Sequence, residues 1–194
     1  MEPKPDQEGQ AELFTASDVA RFCQVDLKTI HNWADRGDVR HFRTPGRHLR
    51  FRRVDVLDFL RKYGYPIPEA LRTCRPKVVV VDEDPAALAS LRRALARRFE
   101  LTTFQDPFDA LVAVGRILPD ALVLDVKMAG VDGVRCLERL RALGATAHVR
   151  CIVYSDEESR RGDATAAGAY GFVRRGDAAE LRASLERLMG LARG

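Results

Sequence analysis

Apolar positions change their period about two-fifths of the way along the chain. Up to Tyr63 they recur mainly at helical spacing, as with Ile30 and Trp33, which point one helix face toward a core. Beyond Lys77, short β-type runs alternate with helical stretches. The runs are Val78–Val81, Leu101–Phe104, Ala121–Leu124, Cys151–Tyr154 and Gly171–Val173. Between and after them lie helical patterns, including Leu88/Leu91/Leu95, Leu137/Leu140 and finally Leu181/Leu185/Leu188. Five strands alternating with five helices predict a doubly wound, five-stranded parallel α/β sheet covered on both faces.

The joint between the two patterns is "GYPIP" at residues 64–68, where a glycine and two prolines oppose both helix and strand. Residues 11–63 are therefore expected to form a small domain, 64–76 a linker and 77–192 the α/β domain. The polar first ten residues are expected to fray.

Within the small domain, Thr15 and Asp18 have capping-box spacing, with Phe14 and Val19 placed to staple the helix start. Asp26 caps a second helix and Gly37 closes it. Lys28, His31, Asn32 and Asp35 fall on the face opposite Ile30 and Trp33. Next, Val39, His41 and Arg43 alternate into Thr44-Pro45-Gly46, and Leu49 and Phe51 return, which predicts a β-hairpin. "VDVLDFLRKYG" supplies a packing helix.

Charge sharpens this picture. The net charge of +4 decides nothing, but residues 36–53 hold seven arginines against the single Asp38. Such density suits phosphate binding, although a solvated basic face has the same composition. A helix presenting Lys and Asn can address phosphates and base edges in a major groove. The candidate DNA contacts are Lys28, Thr29, His31 and Asn32 on the second helix, and Arg40, Arg43, Arg47, His48 and Arg50 on the hairpin. His31, His41 and His48 match no common zinc spacing.

The α/β domain opens with "VVVVDEDP", a buried-type strand running straight into Asp82, Glu83 and Asp84. In open α/β sheets, sites form beyond the carboxyl ends of the strands. The third strand of this domain, in "PDALVLD", ends at Asp125. Carboxylates gathered at one sheet edge repel one another and require a cation, and hard oxygen donors favour Mg²⁺. A carboxylate beside Mg²⁺ can accept a phosphoryl group, because the metal neutralises charge on the transferred oxygens. Asp84, just ahead of Pro85, is placed to cap the following helix.

At these motifs the chain resembles known families. Residues 77–192 are similar to the receiver domain of bacterial two-component response regulators, on "VVVVDEDP", "PDALVLDVKMAGVDG", "CIVYSD" and "GAYGFV" taken in order. The resemblance implies strand order 2-1-3-4-5, a phosphoacceptor at Asp125, and Mg²⁺ held by Asp82, Glu83, Asp125 and the Lys127 carbonyl. Asp132-Gly133 would open the next helix. Ser155, Phe172 and Arg175 would form the switch. Three positions depart from the family pattern: Arg175 stands where a lysine is usual, Gly176 where a cis-proline usually follows it, and Ala129 where a proline is usual. Arg175 brings the charge but a planar fork in place of a compact ammonium. Residues 12–62 resemble the winged helix-turn-helix of the MerR and excisionase families, whose wing often carries a Thr-Pro-Gly turn.

Together the resemblances imply a DNA-binding transcriptional regulator whose receiver modulates dimerisation or DNA binding, with double-stranded DNA and a sensor histidine kinase as partners. It would not be an enzyme acting on an external substrate. A phosphorylation-independent architectural or excisionase-like DNA binder, and a protein-interaction adaptor, remain open. A homodimer is expected, with residues 178–191 as its interface unless Leu181, Leu185 and Leu188 belong to the core. Cys23, Cys74, Cys136 and Cys151 form no Cys-x-x-Cys pair, which favours reduced thiols. The N-terminus lacks the apolar core of a signal peptide, and no apolar stretch reaches membrane-spanning length. The expected location is the cytoplasm, with no membrane partner.

Overall fold

The computed structural model describes residues 13–73, 75–117, 119–128, 130–143, 146–147 and 149–191. The expected fraying of the first ten residues, Cys74, and the departure at Ala129 lie outside them. The chain forms two units that divide between Cys74 and Arg75.

In the first unit, β1 (Leu13–Thr15) runs into α1 (Ala16–Cys23) and α2 (Leu27–Asp35). The capping box forms as expected: Asp18 Oδ2 accepts from the Thr15 N–H at 2.9 Å, and Thr15 Oγ1 accepts from the Asp18 N–H at 3.2 Å. Asp26 accepts from the Thr29 N–H at 2.7 Å and starts α2. Gly37, at φ +78°, ends it, with its N–H on Ala34 O and the Asp38 N–H on Trp33 O. The hairpin strands are β2 (Phe42–Arg43) and β3 (Leu49–Arg52), followed by α3 (Arg53–Lys62). The strand β1, absent from the sequence reading, pairs antiparallel with β3 and makes a three-stranded sheet of order β1-β3-β2. Three residues are too few for alternation to register, and Thr15 serves as both strand end and helix cap.

Residues 64–73 are not a tether. A short helix, α4 (Glu69–Thr73), follows the prolines. Leu71 is fully buried in the core of this unit, with Tyr65 and Ile67 packed against it. The Leu71 carbonyl also accepts from Arg53 Nη2 at 2.6 Å. Pro66 and Pro68 stop α3 but do not prevent the chain from folding back, so the expected linker of residues 64–76 shrinks to the few residues around the division. Trp33, expected in the core, is only partly buried at its edge.

The second unit has a parallel sheet of β4 (Lys77–Val81), β5 (Glu100–Phe104), β6 (Ala121–Leu124), β9 (Arg150–Ser155) and β10 (Gly171–Arg174). Its order, β5-β4-β6-β9-β10, is 2-1-3-4-5 when these five strands are numbered along the chain. The central β4 and β6 are buried along nearly their whole length, which is why they read as continuous apolar runs. Helices α5 (Pro85–Leu95) and α9 (Ala178–Leu188) cover one face. Helices α6 (Pro107–Ile117) and α7 (Gly133–Ala142) cover the other. The short α8 (Arg161–Ala166) precedes β10. Leu181, Leu185 and Leu188 are all buried core, so these leucines are not an interface stripe. Between β6 and α7, a two-rung hairpin of β7 (Lys127–Met128) and β8 (Val131–Asp132) turns at Gly130, φ +73°. No described helix is long and apolar enough to cross a membrane.

Candidate functional site

Strand register sets the acidic site. Val81 on β4 is opposite Leu124 on β6, so the next residues, Asp82 and Asp125, leave the sheet side by side. Both are buried, 1% and 3% exposed. The Asp84 N–H donates to Asp82 Oδ1 at 2.9 Å, and the Lys127 N–H to Asp125 Oδ1 at 3.2 Å. Asp84 caps α5 by accepting from the Ala86 N–H, as expected.

The cation that meets these carboxylates is Arg175, just past the end of β10. Its Nη1 donates to Asp82 Oδ1 at 3.2 Å, and its Nη2 contacts both Asp82 Oδ2 and Asp125 Oδ2. The guanidinium fork thus spans two carboxylates that a single ammonium could touch only as a point charge. Asp82 Oδ2 meets Arg175 at 3.0 Å but accepts no aligned hydrogen bond. Burial pushes the Asp82 carboxyl up from its ordinary value, against the pull of the Asp84 N–H and Arg175. For Arg175, burial works to lower its pKa, but Asp125 and Asp82 outweigh it and hold the guanidinium above its ordinary value.

Ser155 ends β9 on the same sheet edge and is buried, with Oγ accepting from the Glu157 N–H at 3.4 Å. Its carbonyl accepts from the Arg175 N–H at 3.2 Å, so Ser155 and Arg175 are backbone neighbours. Phe172 is half-buried against Val126, Val134, Val153 and Ala164, with the Arg161 guanidinium 4.6 Å from its ring centre. Of the expected metal donors, Asp82 and Asp125 converge. The Glu83 side chain is exposed, and the Lys127 side chain pairs outward with Glu157 at 3.3 Å. Among the described residues no three His, Cys, Asp or Glu side chains form a ready metal cluster.

Sequence reasoning missed three supports of this site. Arg160 forks onto both oxygens of Asp132, at 3.1 and 2.9 Å, across 28 residues that no short motif spans. Asp132 itself caps α7 through the Val134 N–H, at the helix start expected of Asp132-Gly133. Position 133 accepts only glycine behind Asp125: a Cβ there would be 2.2 Å from the Asp125 carbonyl oxygen. Tyr154 Oη accepts from the Gly176 N–H at 2.7 Å, bracing the turn beside Arg175.

In the first unit, Lys28, His31 and Asn32 are exposed along one face of α2, and Thr29 is half-buried beside its cap. Arg40, Arg43, Arg47 and His48 are exposed, and Arg50 is half-buried. They are not equally available. Arg43 is ion-paired at 2.9 Å with Asp35, which ties the hairpin to α2. Arg50 donates to the Leu49 carbonyl. Arg47 sits at the hairpin turn in a left-handed conformation, φ +62°, with its N–H on Thr44 O. The remaining arginines of the basic stretch are partly committed as well: Arg36 pairs with Asp38, and Arg52 packs over the Phe42 ring.

Known proteins match both units. Residues 78–186 match the response regulator receiver domain, and residues 13–64 a helix-turn-helix domain. The response regulator MprA of Mycobacterium leprae is 35% identical over 98 residues, 50% of this chain and 43% of that protein. The transcriptional regulatory protein PrrA of Mycobacterium bovis is 45% identical over 69 residues, 35% of this chain and 30% of that protein. The chain thus spans less than half the length of these curated relatives. One solved structure with the same fold is the receiver domain of a sensor histidine kinase from Pseudomonas aeruginosa, described with a magnesium ion in its active-site cleft. It has TM-score 0.55 and 21% identity, and covers 60% of this chain and 99% of that one.

Proposed function

The chain belongs to the response regulator receiver family, and from that premise we propose that it is a DNA-binding transcriptional regulator whose receiver is phosphorylated on Asp125. One observation carries the reading: Asp82, Asp125, Ser155 and Arg175 meet at the carboxyl edge of a single parallel sheet, three of them buried. Burying like charges is costly even beside a cation, and such costly clusters are found preferentially at functional sites.

Asp125 is the nucleophile. Its carboxylate oxygen bonds to phosphorus as the P–N bond of a histidine kinase's phosphohistidine breaks, so the protein's only chemistry acts on itself. The donor chemistry of the edge fits Mg²⁺: Asp82 Oδ2 is buried, accepts no hydrogen bond and is held only by an ion pair. Asp82, Glu83, Asp125 and the Lys127 carbonyl would hold the ion, which when bound neutralises charge on the phosphoryl oxygens. Arg175 must then release Asp82, because both cations use the same oxygen. Ser155 turns to the phosphoryl group and Phe172 follows. In the first unit, α2 addresses the major groove and the arginine hairpin grips phosphates. A homodimer, which would double a small reading head, and a cytoplasmic location complete the proposal.

The second reading is a signal-blind DNA binder that uses the receiver as a scaffold, and the fork of Arg175 across both carboxylates favours it. Intact mass after treatment with acetyl phosphate, with and without Mg²⁺, followed by duplex titration of each form, separates the two. The switch requires Mg²⁺-dependent phosphoryl mass that is lost in Asp125→Asn, and a DNA affinity that changes with it. Wild type without added mass, binding DNA as Asp125→Asn does, leaves the scaffold.

A further inference from the structure

The first unit has an opening that neither the DNA face nor the acidic site uses. Trp33 on α2, Phe59 on α3, and Tyr63 and Tyr65 just after it line the opening together with Arg36 and Asp38. It encloses about 230 Å³, below the roughly 300–1,000 Å³ of drug-sized sites. Phe59 joins the rings: its centroid is 5.1 Å from Trp33, 4.8 Å from Tyr63 and 6.0 Å from Tyr65. Three of the four remain partly open, Tyr63 to 47%. Four rings and one carboxylate make up most of the wall, with Arg36 its one cation, and the face of an aromatic ring, the negative end of its quadrupole, attracts a cation.

Asp38 is the one acidic residue in the lining. Its present partner is Arg36, 2.7 Å away, but the Arg36 side chain is 63% exposed against 28% for Asp38. Exposed pairs of this kind contribute little, so Arg36 is a peripheral and replaceable cation while Asp38 is part of the wall. The rings already attract one cation: Lys62 Nζ lies 5.0 Å from the Tyr63 centroid. An anion would face the rings and Asp38 together. A neutral apolar molecule would gain nothing from Asp38.

We infer that the first unit binds a small organic cation of the methylated-ammonium class between Trp33, Tyr63 and Asp38, displacing Arg36. The site lies wholly in the first unit and owes nothing to phosphorylation.

Trp33 is the single tryptophan of the chain, so its indole N–H resonance in ¹⁵N-labelled full-length protein reports the site without ambiguity. Choline should shift that resonance saturably, while its uncharged isostere 3,3-dimethyl-1-butanol and an equal concentration of NaCl should not. Tyr63→Leu should weaken choline at least about threefold. Asp38→Asn should weaken it further. Arg36→Ala should tighten it by up to about fivefold, the share withheld by an exposed ion pair. Tyr63→Leu changes an exposed ring and keeps the test valid if Asp38→Asn fails to fold. Equal shifts with the neutral isostere, no saturable shift at all, or choline binding unchanged in Tyr63→Leu would each overturn the inference.

Discussion

Arg175 holds Asp125 and Asp82 at once, one planar cation across two buried carboxylates. Arg175 follows β10, the outer strand beyond β9, whereas the carboxylates follow β4 and β6, so the contact exists only because these parallel strands all end at one edge of the sheet. It offsets part of the charge at the edge, and it also occupies the oxygens that the proposed chemistry needs.

Removing Arg175 should expose the repulsion it conceals. Arg175→Ala is expected to lose about 2–3 kcal/mol of receiver stability, toward the low end for a broken buried pair because Arg175 is itself partly exposed. Millimolar Mg²⁺ should restore much of this loss in the variant and stabilise wild type less, since wild type must first release its arginine. Arg175→Lys should strengthen the effect of phosphorylation on DNA affinity. Thermal unfolding with and without Mg²⁺ checks the first two; equal Mg²⁺ stabilisation of variant and wild type would mean that arginine and metal do not compete.

Acid should reach the site through Asp132. Burial works to raise its pKa, but Arg160 and the Val134 N–H outweigh it and hold the carboxyl below its ordinary value. A depressed carboxyl contributes stability that is present above its unfolded value, about 4, and lost as pH falls below it. Asp82 has the opposite sign: its raised pKa means that ionising it as pH climbs costs stability. Wild type should therefore lose stability relative to Asp132→Asn below about pH 4, in thermal melts across the acid range. Parallel profiles would show that the Arg160 clamp contributes nothing.

DNA binding should depend unequally on the arginines. Arg47→Ala is expected to weaken binding to every duplex and to lower the log–log salt slope by about 0.9, one phosphate contact. Arg43 is restrained by Asp35, so Asp35→Ala should free it and raise non-specific affinity. Asn32→Ala should mainly blur sequence preference. Fluorescence anisotropy at several salt concentrations measures all three, and a salt-independent affinity in wild type would remove the hairpin from the interface.

Gly133→Ala should disturb the acidic site without touching a charge. The added methyl would meet the Asp125 carbonyl oxygen at 2.2 Å and Val126 Cα at 2.7 Å, both backbone atoms. Backbone must move, at about 1–3 kcal/mol, and Asp125 moves with it. Slower phosphoryl uptake together with a lower melting temperature is the expected result; wild-type values for both would show that the loop absorbs the methyl.

Much of this protein was written in local pattern. Four valines in a row mark a strand buried on both faces, Thr15-x-x-Asp18 marks a helix start, and Thr44-Pro45-Gly46 marks a hairpin, because each signal depends only on neighbours in the chain. The same holds for Asp82 and Asp125, whose places at strand ends follow from where the apolar runs stop. Tertiary structure decided what distance along the chain conceals. Pro66 and Pro68 read as a linker because prolines break helices locally, yet Leu71 beyond them is buried in the core of the first unit. Arg160 and Asp132, Trp33 and Tyr65, Arg175 and Asp82 meet only when separate elements pack. A charge pattern can say that a cation is required at the acidic edge, and a family resemblance can point to Arg175, but only the fold determines that its fork reaches both carboxylates, because that depends on where β10 delivers the side chain.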